Sequence, residues 1–370
     1  MTSNKGKYTI LIKNCISNHM IINLYTYWPN SPSWLFYKEL FLRFKYKYKL
    51  EINFNPKFKI LRKEEKNESI GIIFGNIKNS ELFDIKKNNL IIGRLEPRGA
   101  SKINFENYNF IINNSLESQD YFAYSNLDSF ILPTFPQYHQ QDFQKVNNKG
   151  TLVLGYHGNC IHIVGLMKRI YKELLNYSNS NNQKIILKIM SNKKIFKRHF
   201  PIWYFKNIKN YKNKNNFKID FFDYDPSFMW EFMSDIDIGI CPQLTPFKTN
   251  LFAKVIPSRM KHFFQPKNPN IILRFKETSN IGRLAIFSQF NIPVISDPCP
   301  SSCSAIGMNE AGLIALSEKQ WIKSINYLKN NEIGSKMGFA LNKRINDLYS
   351  DSVLYRNLIS FLENLIAKSS

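Results

Sequence analysis

A chain of 370 residues is longer than one ordinary hydrophobic core and fits two domains, and its 44% hydrophobic and 15% aromatic content excludes a disordered chain. No apolar run reaches the roughly 18 residues needed to span a bilayer. The first apolar stretch is broken by Lys13, Asn14, Asn18 and His19 with no small-residue cleavage site behind it, so it does not read as a signal peptide and a cytoplasmic location is expected. The net charge of +23 has two sources: a Lys-, Asn- and Ile-rich bias of the kind an AT-rich genome produces, and an excess suited to an anionic substrate, an anionic membrane surface or nucleic acid.

In the first half, short apolar segments predict strands at Tyr8–Ile12, Ile70–Phe74, Asn89–Ile92, Phe110–Asn113 and Ser129–Leu132. Amphipathic stretches at Trp34–Phe44 and Ser115–Tyr124 separate them. The polar, aperiodic section Gln137–Gly150 reads as a linker. A second alternating series follows: a strand at Thr151–Leu154, the turn Gly155-Tyr156-His157-Gly158-Asn159, and a helix to about Tyr177. Further strands are expected at Lys184–Met190, Phe217–Phe222, Ile236–Ile240, Ile271–Leu273, Pro293–Ile295 and Gly312–Ala315. A helix from Asn280 to Phe290 lies between the fifth and sixth of this series, and the remainder is helical. Two such α/β series predict two Rossmann-like domains with parallel sheets facing across a cleft. The expected division is 1–145 for the first domain and 146–350 for the second, with a final helix, 351–370, crossing back to the first.

Ligands in such sheets bind at the carboxyl ends of the strands, which directs attention to the turns that follow them. Arg274-Phe275-Lys276-Glu277-Thr278-Ser279-Asn280-Ile281-Gly282-Arg283 places three cations around a helix start, with Ser279 or Asn280 as N-cap and Gly282 allowing close backbone approach. Free N–H groups, the helix dipole and the cations all favour an anion there. A diphosphate that departs with extra negative charge is stabilised by such a helix start without a metal.

The residues Ser279-Asn280-x-Gly282-Arg283 followed by Asn291-Ile292-Pro293-Val294-Ile295-Ser296-Asp297 resemble the donor-binding segment of bacterial GT-B glycosyltransferases. Gly155–Asn159 is similar to the opening of the same domain, and Asp235-Ile236-Asp237-Ile238-Gly239-Ile240 to its strand before the cleft. The resemblance covers about 200 residues of the second half. It implies transfer of a sugar from a nucleotide-diphosphate donor to a glycan or lipid-linked acceptor in surface polysaccharide synthesis. No cofactor or metal is implied, the nucleotide sugar being a substrate. Donor contacts fall on Gly155, Tyr156, His157, Gly158, Asn159, Arg274, Lys276, Glu277, Thr278, Ser279, Asn280, Gly282 and Arg283, with Arg283 and Lys276 bearing on the departing diphosphate. Retaining members of the family carry two glutamates eight residues apart; Glu277 or Thr278 stands near the first, but Ala285 and Ile286 occupy the region of the second. Ribose recognition and stereochemistry are therefore not carried over.

On the acceptor side, Arg94 and Arg98 suit an anionic group and Glu96 a general base, with Asp128 and His139 as further candidates. The pair Asp223 and Asp225 matches the metal-binding spacing of GT-A enzymes, but Asp225-Pro226 reads more simply as a turn. His157, Cys160 and His162 lack a fourth zinc ligand at a recognised spacing. The five cysteines, Cys15, Cys160, Cys241, Cys299 and Cys303, are too few and scattered for a disulfide framework. Lys248–Lys267 mixes aromatic and basic residues and suits a peripheral contact with the inner face of the cytoplasmic membrane. Two rival readings are an epimerase of the same fold and a nucleic-acid-binding protein. The latter lacks any recognisable helix-turn-helix, RRM or zinc-finger signature, so no nucleic-acid partner is expected.

Overall fold

The computed structural model describes residues 20–55, 69–97, 103–138, 150–192, 216–246, 273–274, 280–307 and 310–369. The predicted strand Tyr8–Ile12, the segment Lys248–Lys267, and most of the predicted linker lie outside them. The chain divides into two compact units. The first comprises Met1–Asn113, Ser125–Leu132 and Asp351–Ser370; the second comprises Asn114–Tyr124 and Pro133–Ser350.

The first unit is built on a six-stranded sheet: β1 (Ile21–Thr26), β2 (Glu51–Phe54), β3 (Ser69–Phe74), β4 (Ile91–Leu95), β5 (Phe110–Asn113) and β6 (Asp128–Ile131), in the order β2-β1-β3-β4-β5-β6. Every pairing is parallel. All six residues of β3 and all five of β4 are buried, as expected of parallel strands covered on both faces. Helix α1 (Pro32–Tyr48) starts on a proline and ends at Lys49 in the left-handed conformation, φ 56°. It buries Trp34, Tyr37, Leu40, Phe41 and Phe44, a helical spacing of three and four residues. Helix α2 (Asn79–Asn88) buries Leu82 and Ile85.

The second sheet contains β7 (Thr151–His157), β8 (Lys184–Ser191), β9 (Phe217–Asp223), β10 (Ile238–Cys241), β13 (Val294–Ser296) and β14 (Leu313–Ile314), in the order β14-β13-β10-β7-β8-β9. This too is wholly parallel. Its first strand lies in the middle, beside the fourth, which makes the β7–β10 boundary the topological switch point of a doubly wound sheet. Of the strand expected at Ile271–Leu273, Leu273 is the described residue, and it pairs outside this sheet. β10 pairs directly with β13, and Leu273–Arg274 (β12) instead forms an antiparallel two-stranded ribbon with Thr245–Pro246 (β11).

Helices of the second unit are α3 (Leu116–Tyr121), α4 (Cys160–Ser180), α5 (Met229–Met233), α6 (Gly282–Gln289), α7 (Pro300–Ile306), α8 (Glu318–Leu328) and α9 (Asn331–Tyr349). One core cluster joins α4 and α8 to the sheet through Leu166, Ile170, Leu174, Trp321 and Ile325. A second joins α5, α6 and α9 to it through Phe232, Leu284, Phe287 and Leu341. The final helix, α10 (Asp351–Ser369), packs on α1 within the first unit: Tyr355 stacks on Tyr48 at 4.2 Å between ring centroids, and Arg43 Nε meets Asp351 at 3.1 Å. No helix among the described residues is long and apolar enough to cross a membrane.

Candidate active site

The switch point of the second sheet is where β7 and β10 end and chain connections leave in opposite directions. β7 runs three residues further than the apolar run suggests, so Gly155, Tyr156 and His157 are strand residues and buried. The space for a side chain at Gly155 is filled by Ile236, whose nearest atom would stand 2.3 Å from an added Cβ. Gly158 and Asn159 form the turn itself. Gly158 adopts φ +110°, a conformation natural to glycine, and Asn159 caps α4 by accepting from the Ile161 N–H at 3.2 Å.

Arg283, in the first turn of α6, crosses the switch point. Its Nε donates to the His157 carbonyl at 3.0 Å and its Nη1 to the Pro242 carbonyl at 2.8 Å, linking the ends of β7 and β10. The guanidinium lies 5.1 Å from the centroid of the Tyr156 ring, a cation–π arrangement. Nη2 faces Gly158, 3.7 Å from where a Cβ would stand, so a side chain at 158 would crowd the cation. The charge is thus held in one place at the carboxyl edge of the sheet.

The N-terminus of α6 differs in detail from expectation. The helix begins at Gly282 after Ile281, but the Asn280 side chain still accepts from the Gly282 N–H at 3.0 Å. Asn280 is itself fixed through its carbonyl, which accepts from Gln243 Nε2 at 2.7 Å. Lys276, Glu277, Thr278 and Ser279 lie outside the described residues. Arg274 is described through its backbone pairing with Thr245 in the small ribbon.

Beneath this arrangement sits a carboxylate that is not among the expected donor contacts. Asp297, fully buried just after β13, accepts from the N–H groups of Gln243 and Leu244 at 2.9 Å each and from Arg169 Nη2 at 2.8 Å. It holds the turn after β10 in the shape that offers Pro242 and Gln243 to Arg283 and Asn280. Its position at the end of a strand was the available signal; its partners, 53 to 128 residues away, were not readable. Glu117 plays a similar part for α7, accepting from the backbone N–H of Ser301 at 3.0 Å.

His157 is buried against the Phe287 ring at 5.0 Å. Burial and the neighbouring Arg283 charge push its pKa down from 6.5 to about 3, so the imidazole is neutral under ordinary conditions. Its Nε2 has no hydrogen-bond partner.

The remaining candidates are distributed as follows. Arg94 is buried in β4, with its Nη1 donating to the Gly75 carbonyl. Glu96, two residues on, is buried in the left-handed conformation, φ 44°. Arg98 and His139 lie outside the described residues. Asp128 begins β6, at the amino end of its strand, and pairs with Lys368 at 2.9 Å. Asp225 accepts from the Ser227 N–H at 2.9 Å and its hydroxyl at 2.7 Å, a turn-capping role. Among the described residues no group of three or more His, Cys, Asp or Glu side chains is placed to hold a metal ion.

No known family model matches the sequence, and no curated protein matches it. Solved structures do. HepE of Anabaena, in complex with UDP and glucose, superposes with a TM-score of 0.55 over 93% of this chain and 100% of its own, at 8% identity. The lipopolysaccharide outer core galactosyltransferase WaaB gives 0.55 over 93% of this chain and 99% of its own, at 9% identity. A glycosyltransferase from Rickettsia africae gives 0.55 over 95% and 100%, at 12% identity. These similar structures are of the GT-B type.

Proposed function

Since the chain has the GT-B fold, we propose that it is a glycosyltransferase that moves a sugar from a nucleotide-diphosphate donor to a glycan or lipid-linked acceptor. The observation that carries this reading is the clamped Arg283. A cation tied to two strand-end carbonyls at the switch point of a doubly wound sheet is already positioned where such sheets bind nucleotides. In the transfer, the bond between the anomeric carbon and the diphosphate oxygen breaks and its electron pair stays on that oxygen. A new bond forms to an acceptor hydroxyl, whose proton passes to a base, the role we assign to Glu96. Charge accumulates on the departing diphosphate, and a pre-positioned guanidinium stabilises it with no reorganisation at the moment of reaction.

The Gly158 and Asn159 turn, the Gly282 end of α6 and Arg283 form the described part of the donor site; Arg274, Lys276, Glu277, Thr278 and Ser279 complete it in this reading. A uridine nucleotide is the first donor to test, because the HepE structures hold UDP and UDP-glucose and a TarM structure holds UDP. Arg94 and Arg98 belong to the acceptor side. Assembly of a surface polysaccharide on the cytoplasmic face of the membrane is the setting we assign.

The test is turnover of UDP-sugars by the Arg283→Ala/Lys276→Ala double variant. A loss of about 100-fold in kcat is expected from removing charge stabilisation of the leaving group. Unimpaired turnover by the folded double variant would overturn the assignment.

A further inference from the structure

We propose that the first unit holds an oxyanion site at Arg94, which takes the phosphate or carboxylate of an anionic acceptor. Calling that ligand the acceptor rests on the transferase reading above; the site itself does not.

Two Lys or Arg side chains are buried among the described residues, Arg94 at 1% exposure and Lys188 at 8%. They are treated very differently. Lys188 has Asp235 at 2.6 Å, the Phe232 carbonyl at 3.2 Å and the faces of Phe222 and Phe232 at 5.2 and 5.1 Å. Among the described residues Arg94 has the Gly75 carbonyl on Nη1, the Tyr108 hydroxyl beside its guanidinium and no carboxylate, and its Nε and Nη2 make no well-formed hydrogen bond. A buried cation without a counter-charge is strongly unfavourable, and unpaired buried donors add to it. A guanidinium presenting free N–H groups is the side chain best matched to a planar or tetrahedral oxyanion.

The surroundings fit a ligand better than a structural ion pair. Arg94 sits near the carboxyl end of β4, next to β3, and Gly75 follows β3 in a left-handed turn, φ +94°. The half-buried Trp28, which follows β1, packs against Gly75 so closely that a Cβ there would lie 3.1 Å from the indole. With the strand order β2-β1-β3-β4-β5-β6, the boundary of β1 and β3 is the switch point of this sheet. Each unit thus sets an arginine bonded to a strand-end carbonyl, and a left-handed glycine, at its own switch point. In the first unit an aromatic ring stands beside them, suited to the apolar face of a sugar. The Tyr108 hydroxyl is close enough to act on the Arg94 charge and remains a neutral phenol, its pKa raised by burial.

Thermal unfolding in the presence of inorganic phosphate, glucuronate or neutral methyl glucoside tests the site. The Arg283→Ala chain removes the main anion contact of the second unit, so any remaining anion response belongs elsewhere. In that background phosphate or glucuronate should raise Tm by several degrees, and methyl glucoside should not. The larger of the two anion responses identifies phosphate or carboxylate as the natural group. Adding Arg94→Met should abolish the response and leave the ligand-free Tm unchanged or higher, because an apolar side chain replaces an unpaired buried charge. Arg94→Lys, which keeps charge without the planar fork, should retain a reduced response.

A full anion response in the Arg94→Met/Arg283→Ala chain would overturn the proposal. So would a marked fall in the ligand-free Tm of Arg94→Met with no anion response in its Arg94 parent, which would make the cation purely structural. Nucleotide binding by the wild-type chain reports on the second unit independently: a wild type that responds to anions at Arg94 but binds no nucleotide sugar would sink the transferase reading and leave this site standing.

Discussion

His157 illustrates how the environment of one residue decides what it can do. Its position at the end of β7 beside Arg283 suggests an acid–base role, but burial and the adjacent cation hold it neutral, with a pKa of about 3 against an ordinary 6.5. The linkage to stability follows in sign. Between pH 6.5 and 3 the unfolded chain binds a proton at this site that the folded chain does not, so stability is complete above 6.5 and declines as pH falls through that window. Comparing Tm from pH 7 to pH 4 should show a steeper decline for the wild type than for His157→Gln. Parallel curves would contradict this account of the residue. The same reasoning separates Arg283 from the other cations near the site: its usefulness to a ligand comes from two fixed carbonyl contacts, not from charge alone.

At the scale of elements, the site depends on turns held by distant side chains. Asp297 binds two N–H groups after β10 and Arg169 on α4, and so ties the end of β13 to α4 and to the turn whose Pro242 carbonyl accepts from Arg283. Asp297→Ala would leave those donors buried without partners and should destabilise the second unit by about 3 kcal/mol, measured by denaturant unfolding. Asp297→Asn, which keeps an acceptor, should lose less. Equal stability of the alanine variant and the wild type would show that the turn is held by other contacts.

Short segments rich in apolar residues between turn residues were legible in the sequence: Phe110–Asn113 is found with those bounds, and Lys184–Met190 and Phe217–Phe222 each extend by one residue. β1 was not legible. Asn23 interrupts its apolar run, and the reason it belongs in the strand is tertiary: it is buried and donates to Asn89 at 2.9 Å while accepting from Asn53 at 3.1 Å. Of the strand expected at Ile271–Leu273, Leu273 pairs with Pro246 in the antiparallel ribbon, a partner that composition does not reveal, and β10 pairs directly with β13. For the site, the sequence identified Gly158, Asn159, Asn280, Gly282 and Arg283 as neighbours of one another. It could not distinguish the turn residues from the buried Gly155 and Tyr156, since that depends on β7 continuing to His157.

For the whole molecule, two parallel α/β sheets with different strand orders, each with an arginine at its switch point, make the donor and acceptor assignments separable by mutation. The GT-B fold is shared with proteins at about one-tenth identity, so the arrangement of strands persists where most side chains do not. Function must then be argued from the site, and the central claim is that Arg283 meets the donor diphosphate. Isothermal titration of UDP into the wild type and the Arg283→Ala chain tests that claim most directly. The account predicts binding to the wild type and at least a tenfold weaker Kd in the variant, about 1.4 kcal/mol or more; equal affinity in the two chains would contradict it.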